Sequence, residues 1–150
     1  MPNAHDVSAY ILEQQGAMSA MKLQKLLYYS QAWHLVWEEE QLFPERIEAW
    51  ANGPVVPRLY QVHRGQFSVG TNGTWSHGDS SKLSASQRGS IDAVLKFYGD
   101  KTGSWLSELA HRERPWREAR AGLAPGERGQ KEITKATLAE YYGGLVGATE

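Results

Sequence analysis

The chain has 150 residues, 41% of them apolar, and a formal net charge of −1. That is enough for one continuous core and too little positive charge for bulk electrostatic binding of nucleic acid. With no cysteine, the sequence excludes a disulfide framework, thiol chemistry and every Cys-containing zinc site, and fits a reducing cytoplasm.

Membrane association is not expected. No stretch approaches the roughly 18 apolar residues of a membrane span. The segment Met1-Pro2-Asn3-Ala4-His5-Asp6 has neither the basic nor the apolar region of a secretory signal. The expectation is a single cytoplasmic domain over residues 1–150. Six Trp and seven Tyr give it an aromatic inventory suited to a core or to an interface.

In chain order, Asp6 is a candidate cap for a first helix with Val7, Tyr10 and Ile11 on one face, ended by Gly16. Ser19 is the expected cap of a second helix, Ala20 to about Glu39. Leu23, Leu26, Leu27, Trp33 and Trp37 follow a 3/4 spacing, and Met21, Tyr28, Tyr29, Leu35 and Val36 widen the stripe almost all round. A helix of this kind belongs at the centre of a bundle, where it would span about 30 Å at roughly 1.5 Å per residue.

Arg46 to Trp50 alternates as a short strand, and Gly53 and Pro54 break it. Pro57 fits only the first turn of a short helix carrying Leu59, Tyr60 and His63, which Gly65 stops. Residues 65–82, rich in Gly, Ser, Thr and Asn, read as a flexible surface loop.

Ser84 and Gln87 form a capping box for a helix with Ile91, Val94, Leu95 and Tyr98, closed by Gly99. Thr102 caps another, carrying Trp105, Leu106 and Leu109, and Pro115 interrupts before one or two turns to Arg120. Residues 122–130 are a Gly/Pro loop, Glu132 to Thr134 is a candidate partner for the strand at 46–50, and a last helix carries Leu138, Tyr141 and Tyr142. The tail 143–150 reads as frayed. The predicted fold is mainly α: a compact helical bundle around the long helix at about 20–39, with a small two- or three-stranded β element.

The search for chemistry finds no centre. The five histidines show neither HExxH nor clustered metal spacing, and there is no phosphate loop and no Gly-x-Ser-x-Gly elbow. His34 and Glu38, four apart on one helix face, could share a metal; the plainer reading is an imidazole hydrogen-bonded inside an apolar helix. No metal and no cofactor is therefore expected. Arg112, Arg114, Arg117, Arg120, Arg128 and Lys131 cluster near Trp116, yet Glu108, Glu113, Glu118, Glu127 and Glu132 are interleaved with them. That pattern is a solvated mixed-charge face, and nucleic acid is not the expected partner.

Two features point to recognition. Glu38, Glu39 and Glu40 oppose the macrodipole at a helix C-terminus, at about 0.3–1 kcal/mol each if exposed; a loop following Trp37 is the alternative. Trp50 to Tyr60, with Gly53, Pro54, Val55, Val56, Pro57 and Arg58 between them, is stiffened by its prolines. A rigid loop presents side chains at low entropic cost, and a structural corner between sheet and helix is the competing reading. A partner-binding surface of Glu38 to Glu40, Trp50 and Gly53 to Tyr60 is the working expectation.

The same segments resemble a known family. Leu23-Gln24-Lys25-Leu26-Leu27-Tyr28-Tyr29-Ser30-Gln31-Ala32-Trp33-His34-Leu35 is similar to the signature of the Panacea domain, as is Ile47 to Pro57 with Tyr60 after it. The family is also described as SocA-like or GepA-like and phage-associated. The likeness extends to His111, Pro115, Trp116, Ala119 and Arg120, with Ala110 standing where the family usually has Thr, and runs from about Asp6 to Tyr142.

The resemblance implies a bacterial or prophage-borne antitoxin of a two-gene pair that neutralises a cognate toxin by direct protein contact. An adaptor role that hands the toxin to a protease or chaperone is a variant. It supplies no catalytic residues, and gives Leu23, Lys25, Leu26, Leu27, Tyr28, Trp33, His34, His111, Pro115, Trp116 and Arg120 structural roles within the motifs. Two further readings stand beside it: a prophage interaction module without a cognate toxin, and a cryptic hydrolase using His34 or His111.

Overall fold

The second helix sets the architecture. In the computed structural model, which describes residues 1–70, 75 and 77–148, α2 runs Ala20–Glu38, and α1 (Ala4–Gln15), α4 (Ala85–Tyr98), α5 (Gly103–Arg112) and α7 (Lys135–Ala148) pack around it. Leu23, Leu26, Leu27, Tyr28, Tyr29 and Ala32 are all fully buried, as the all-round apolar pattern requires. The ends of the stripe behave differently: Met21 and Trp37 are exposed, and Trp33 is half-buried.

Two short helices and two small antiparallel sheets complete the fold. Helix α3 is Pro57–His63 and α6 is Arg114–Ala119, each with its proline in the first turn, where no backbone N–H is needed. One sheet pairs β1 (Met18–Ser19) with β4 (Ser68–Val69). The other has the order β3-β2-β5, from β3 (Gly53–Val55), β2 (Ile47–Trp50) and β5 (Glu132–Ile133). Ile47 faces Ile133, the expected pairing, and Trp50 faces Gly53 across a two-residue turn. Gly53 and Pro54 thus do not merely break the strand; they begin its antiparallel partner.

Helix starts follow local chemistry. Ser19 Oγ accepts from Lys22 N, Thr102 Oγ1 from Trp105 N, and the Ser84–Gln87 capping box is closed in both directions. The first helix starts earlier than predicted. Asn3 is its cap, and Asp6 sits three residues on as the reciprocal half of a capping box. The expected loop at 65–82 contains β4 and a 3-10 turn at Ser80–Lys82; residues 71–74 and 76 lie outside the described residues. Where fraying was expected from Gly143, α7 continues to Ala148, with Leu138 and Tyr142 fully buried; residues 149–150 lie outside the described residues. Packing on α2 outweighs the weak helix propensity of Gly143 and Gly144.

The core is unusual in its polar content. Glu113 is buried at the α5–α6 junction, and its Oε1 accepts from the Tyr29 hydroxyl at 2.7 Å and the Tyr142 hydroxyl at 2.8 Å. Tyr142 in turn accepts from Tyr28 at 3.0 Å, and Tyr98 stacks on Tyr29 at 4.3 Å. Burial raises the Glu113 carboxyl above the usual range, against the pull of the two tyrosine hydroxyls.

Candidate functional site

Three sequence segments that read as separate motifs meet at the β2–β3 hairpin. From α2, Gln24 uses both ends of its amide on one passing residue: its Oε1 accepts from Val56 N at 2.8 Å and its Nε2 donates to Val56 O at 3.2 Å. The same Nε2 lies 2.9 Å from His63 Nε2. The imidazole nitrogen is then the acceptor, which assigns the neutral ring with its proton on Nδ1. Burial holds the His63 ring below the usual imidazole range, consistent with that state.

Gln31, seven residues on and so on the same face, repeats the device. It donates to Phe43 O at 2.8 Å and accepts from Leu42 N, pinning the loop that leads into β2.

Lys25 approaches the hairpin most closely. It is 2% exposed, and its Nζ donates to Pro54 O at 3.0 Å. Gly53 has φ 125°, and a Cβ built there would lie 2.6 Å from Lys25 Cε and 3.3 Å from Ser107 Oγ. The glycine is needed twice over, for its dihedral and for the room it leaves the lysine.

The third segment braces the hairpin's other side. Trp116 Nε1 donates to Trp50 O at 2.8 Å. Arg120, buried with its guanidinium over the Trp116 ring, donates to Ala49 O and to Ala124 O and Glu127 O in the 122–130 loop. Ser107 donates to Asn52 O. His111 stacks on Trp116 at 4.1 Å and hydrogen-bonds the Asn52 backbone, while its buried Nε2 has no partner among the described residues. Pro115, buried beside Trp116, starts α6. Ala110, where a threonine was the resemblance's expectation, is fully buried.

So braced, the hairpin encloses a cavity of about 370 Å³ against α2 and α3, with Gln24, Lys25, Trp50, Val55, Tyr60 and His63 in its wall. Trp50 and Tyr60 meet edge to face at 5.0 Å, and the indole N–H of Trp50 is anchored on Glu48 Oε1 at 2.9 Å. Exposed Arg128 and Gln130 stand at its rim. Burial pushes the Lys25 ammonium down to about 7.

The candidate partner residues divide into two places. Trp50, Val55 and Tyr60 line the cavity, Gly53, Pro54 and Val56 are buried beneath it, Pro57 is half-buried and Arg58 is exposed. Glu38, Glu39 and Glu40 are exposed at the far end of α2, about 20 Å along the helix from Lys25 at about 1.5 Å per residue. The structure does not bring the two halves together.

Helix α2 ends at Glu38, and Glu39 caps it at φ 56°, the only positive φ outside glycine among the described residues. Trp37, 44% exposed, stacks on Trp33 beside these acids, and Trp33 Nε1 donates to the Tyr98 hydroxyl. Phe97, 65% exposed, is the neighbour of Tyr98 on α4.

His34 is sealed in rather than paired with Glu38: it is 1% exposed, with Nδ1 2.7 Å from Ser90 Oγ. No three His, Asp or Glu side chains gather as a metal set among the described residues. No helix among them is long and apolar enough to cross a membrane. Periodicity did not single out Gln24, Lys25 and Gln31 as organising groups, because it follows only the apolar positions of α2, and it named His63 only as part of the short helix with Leu59 and Tyr60. The Gly53-Pro54 pair, the one local signal beside them, read only as a strand break in a stiff loop.

No curated protein and no solved structure matches the chain. The family model of the antitoxin SocA-like, Panacea domain matches residues 23–117, a span that runs from the start of the Gln24–Lys25 segment through the hairpin to Trp116. The chain belongs to the antitoxin SocA-like family and carries its Panacea domain.

Proposed function

We propose that this protein is the antitoxin of a toxin–antitoxin pair and neutralises its toxin in the cytoplasm by direct protein contact, without a catalytic step. The observation that carries this reading is the family match over the segments that build the hairpin and the central helix. His34, one of the two histidines of the hydrolase reading, is buried with its ring on Ser90 Oγ, which favours a structural use of that imidazole.

The contact we favour is the C-terminal end of α2. Trp37, stacked on Trp33 and 44% exposed, offers aromatic area of the kind that anchors interfaces. Glu38, Glu39 and Glu40 lie against the helix dipole, and Glu39 holds a conformation that non-glycine residues rarely adopt. A basic toxin surface would relieve that repulsion. Arg58 and the hairpin lie outside this contact.

The test is co-expression with the adjacent open reading frame, scored for growth and co-purification. The triple charge reversal Glu38→Lys/Glu39→Lys/Glu40→Lys is expected to abolish rescue and co-purification without lowering the thermal midpoint, which the lysines should raise by complementing the helix dipole. Trp37→Ala should abolish both as well, with a small loss of stability from the lost stack on Trp33. Full rescue by both variants would remove this surface from the contact, and an adjacent gene without toxicity would favour a stand-alone interaction module. Toxin that disappears from cells, rather than accumulating in a complex, would identify the adaptor mode, in which the chain hands its toxin to a protease.

A further inference from the structure

The two buried Lys/Arg side chains among the described residues are treated differently. Arg120 gives its guanidinium hydrogens to Ala49 O, Ala124 O and Glu127 O and lies over the Trp116 ring. Lys25 has three ammonium hydrogens and, among the described residues, one hydrogen bond, to Pro54 O. A buried ammonium in that condition is expensive unless something else comes to it.

The groups that face Lys25 offer no negative charge. From α3 comes His63, whose Nε2 is occupied by Gln24. From α5 come Ser107, engaged with Asn52 O, and His111, bonded to the Asn52 backbone. From the 122–130 loop comes Arg128, a further cation at the rim. The hairpin's own acid, Glu48, is held by Trp50 Nε1 and by Arg46 at 3.0 Å. Lys25 therefore stands in a buried site with donors to spare and no anion of its own.

Above it the walls are apolar and aromatic: Val55, with Trp50 and Tyr60 set edge to face. The volume, about 370 Å³, lies at the small end of ligand sites and suits one ring-sized body. A phosphate would want several converging donors or a nest of backbone N–H groups, whereas one ammonium beside an apolar wall matches a single carboxylate on a hydrocarbon body.

We propose that this cavity is a carboxylate-binding site, taking an apolar acid whose carboxylate sits on Lys25 Nζ and whose body lies against Trp50 and Tyr60. A free aromatic acid and the C-terminal residue of a protein chain present the same chemistry. The site is separate from the acidic end of α2, so it stands or falls apart from the antitoxin reading.

The test uses the full chain and three probes: 3-phenylpropionate, the peptide acid N-acetyl-Leu-Phe, and the corresponding peptide amide. Binding is followed at pH 6.5 by calorimetry and by the Trp50 indole and Lys25 side-chain NMR signals. At least one acid is expected to bind saturably, shift both signals, and bind tenfold or more tightly than the amide. Binding of 3-phenylpropionate assigns the site to free acids, and binding of the peptide acid alone assigns it to chain ends.

Lys25→Met is expected to abolish binding. Above pH 7 the affinity should fall by up to tenfold per pH unit as the ammonium is lost. His63 and His111, held below the usual imidazole range by burial, stay neutral there. Failure of both acids to bind, equal binding of the amide, or affinity that survives Lys25→Met or pH 9 would overturn the proposal. The acid–amide comparison is made on the unaltered chain, so it does not depend on any variant folding.

Discussion

Glu113 and Lys25 are both ionisable groups buried against α2, and they are built in opposite ways. Glu113 is closed: two tyrosine hydroxyls donate to one of its oxygens, a third tyrosine extends the chain, and a fourth stacks on the first. Lys25 is open: one carbonyl accepts from it and a cavity lies beyond. A buried polar group with its partners supplied by the fold contributes rigidity and a unique packing. One whose partners are left out weakens the fold and is most simply explained by what it binds. The difference separates a structural use of a buried charge from a functional one within one core.

The comparison can be tested by mutation. The largest effect is expected at the apolar reference between the two groups: Leu27, fully buried on α2, should lose roughly 2–5 kcal/mol on Leu27→Ala, read as a lower thermal midpoint. Glu113→Ala should follow at roughly 2–4 kcal/mol, because it strands the Tyr29 and Tyr142 hydroxyls. Since burial raises the Glu113 carboxyl, the unfolded chain loses this proton first as pH rises. The contribution of Glu113 to stability should therefore fall with rising pH across that window, and Glu113→Gln should flatten the dependence. A denaturant midpoint indifferent to Glu113→Ala would remove the closed half of the contrast.

Gly53→Ala should cost about 1–3 kcal/mol, from its positive φ and from the close approach of Lys25 Cε. Made on a Lys25→Ala background it should cost less, because the steric part is gone; strict additivity of the two would argue against the contact.

The smallest effect on stability is expected at Lys25 itself. Lys25→Met should leave stability at pH 7 unchanged or slightly raised, where a structural lysine would lose it. The ammonium is pushed down to about 7 from an ordinary 10.5, so between those values the unfolded chain binds the extra proton and stability rises with pH. Lys25→Met should abolish that rise, measured by chemical denaturation between pH 7 and 9.5. Clear destabilisation by Lys25→Met at pH 7 would place Lys25 with Glu113 after all.

Sequence alone determined the parts of this protein whose causes lie within a few residues. Ser19, Ser84 with Gln87, and Thr102 cap the helices they precede, prolines open α3 and α6, and the apolar run of α2 places it at the centre. Each of these is a local hydrogen bond, a fixed dihedral or a periodicity. The two-residue strands β1 and β4 carry no period to detect, and α7 persists through two glycines because of packing that its own sequence does not contain.

The candidate site lies on the other side of that line. The family resemblance named the segments that meet at the hairpin, and the Gly53-Pro54 pair read only as a strand break in a stiff loop. What Gln24, Lys25, Gln31, His34 and Glu113 do was settled only by partners far along the chain: Val56, Pro54, Phe43, Ser90 and Tyr29. A polar side chain within an apolar helix has the same sequence signature whether it faces water or a carbonyl. Only the tertiary structure decides which, because the free energy of burying it depends on whether a partner is waiting there.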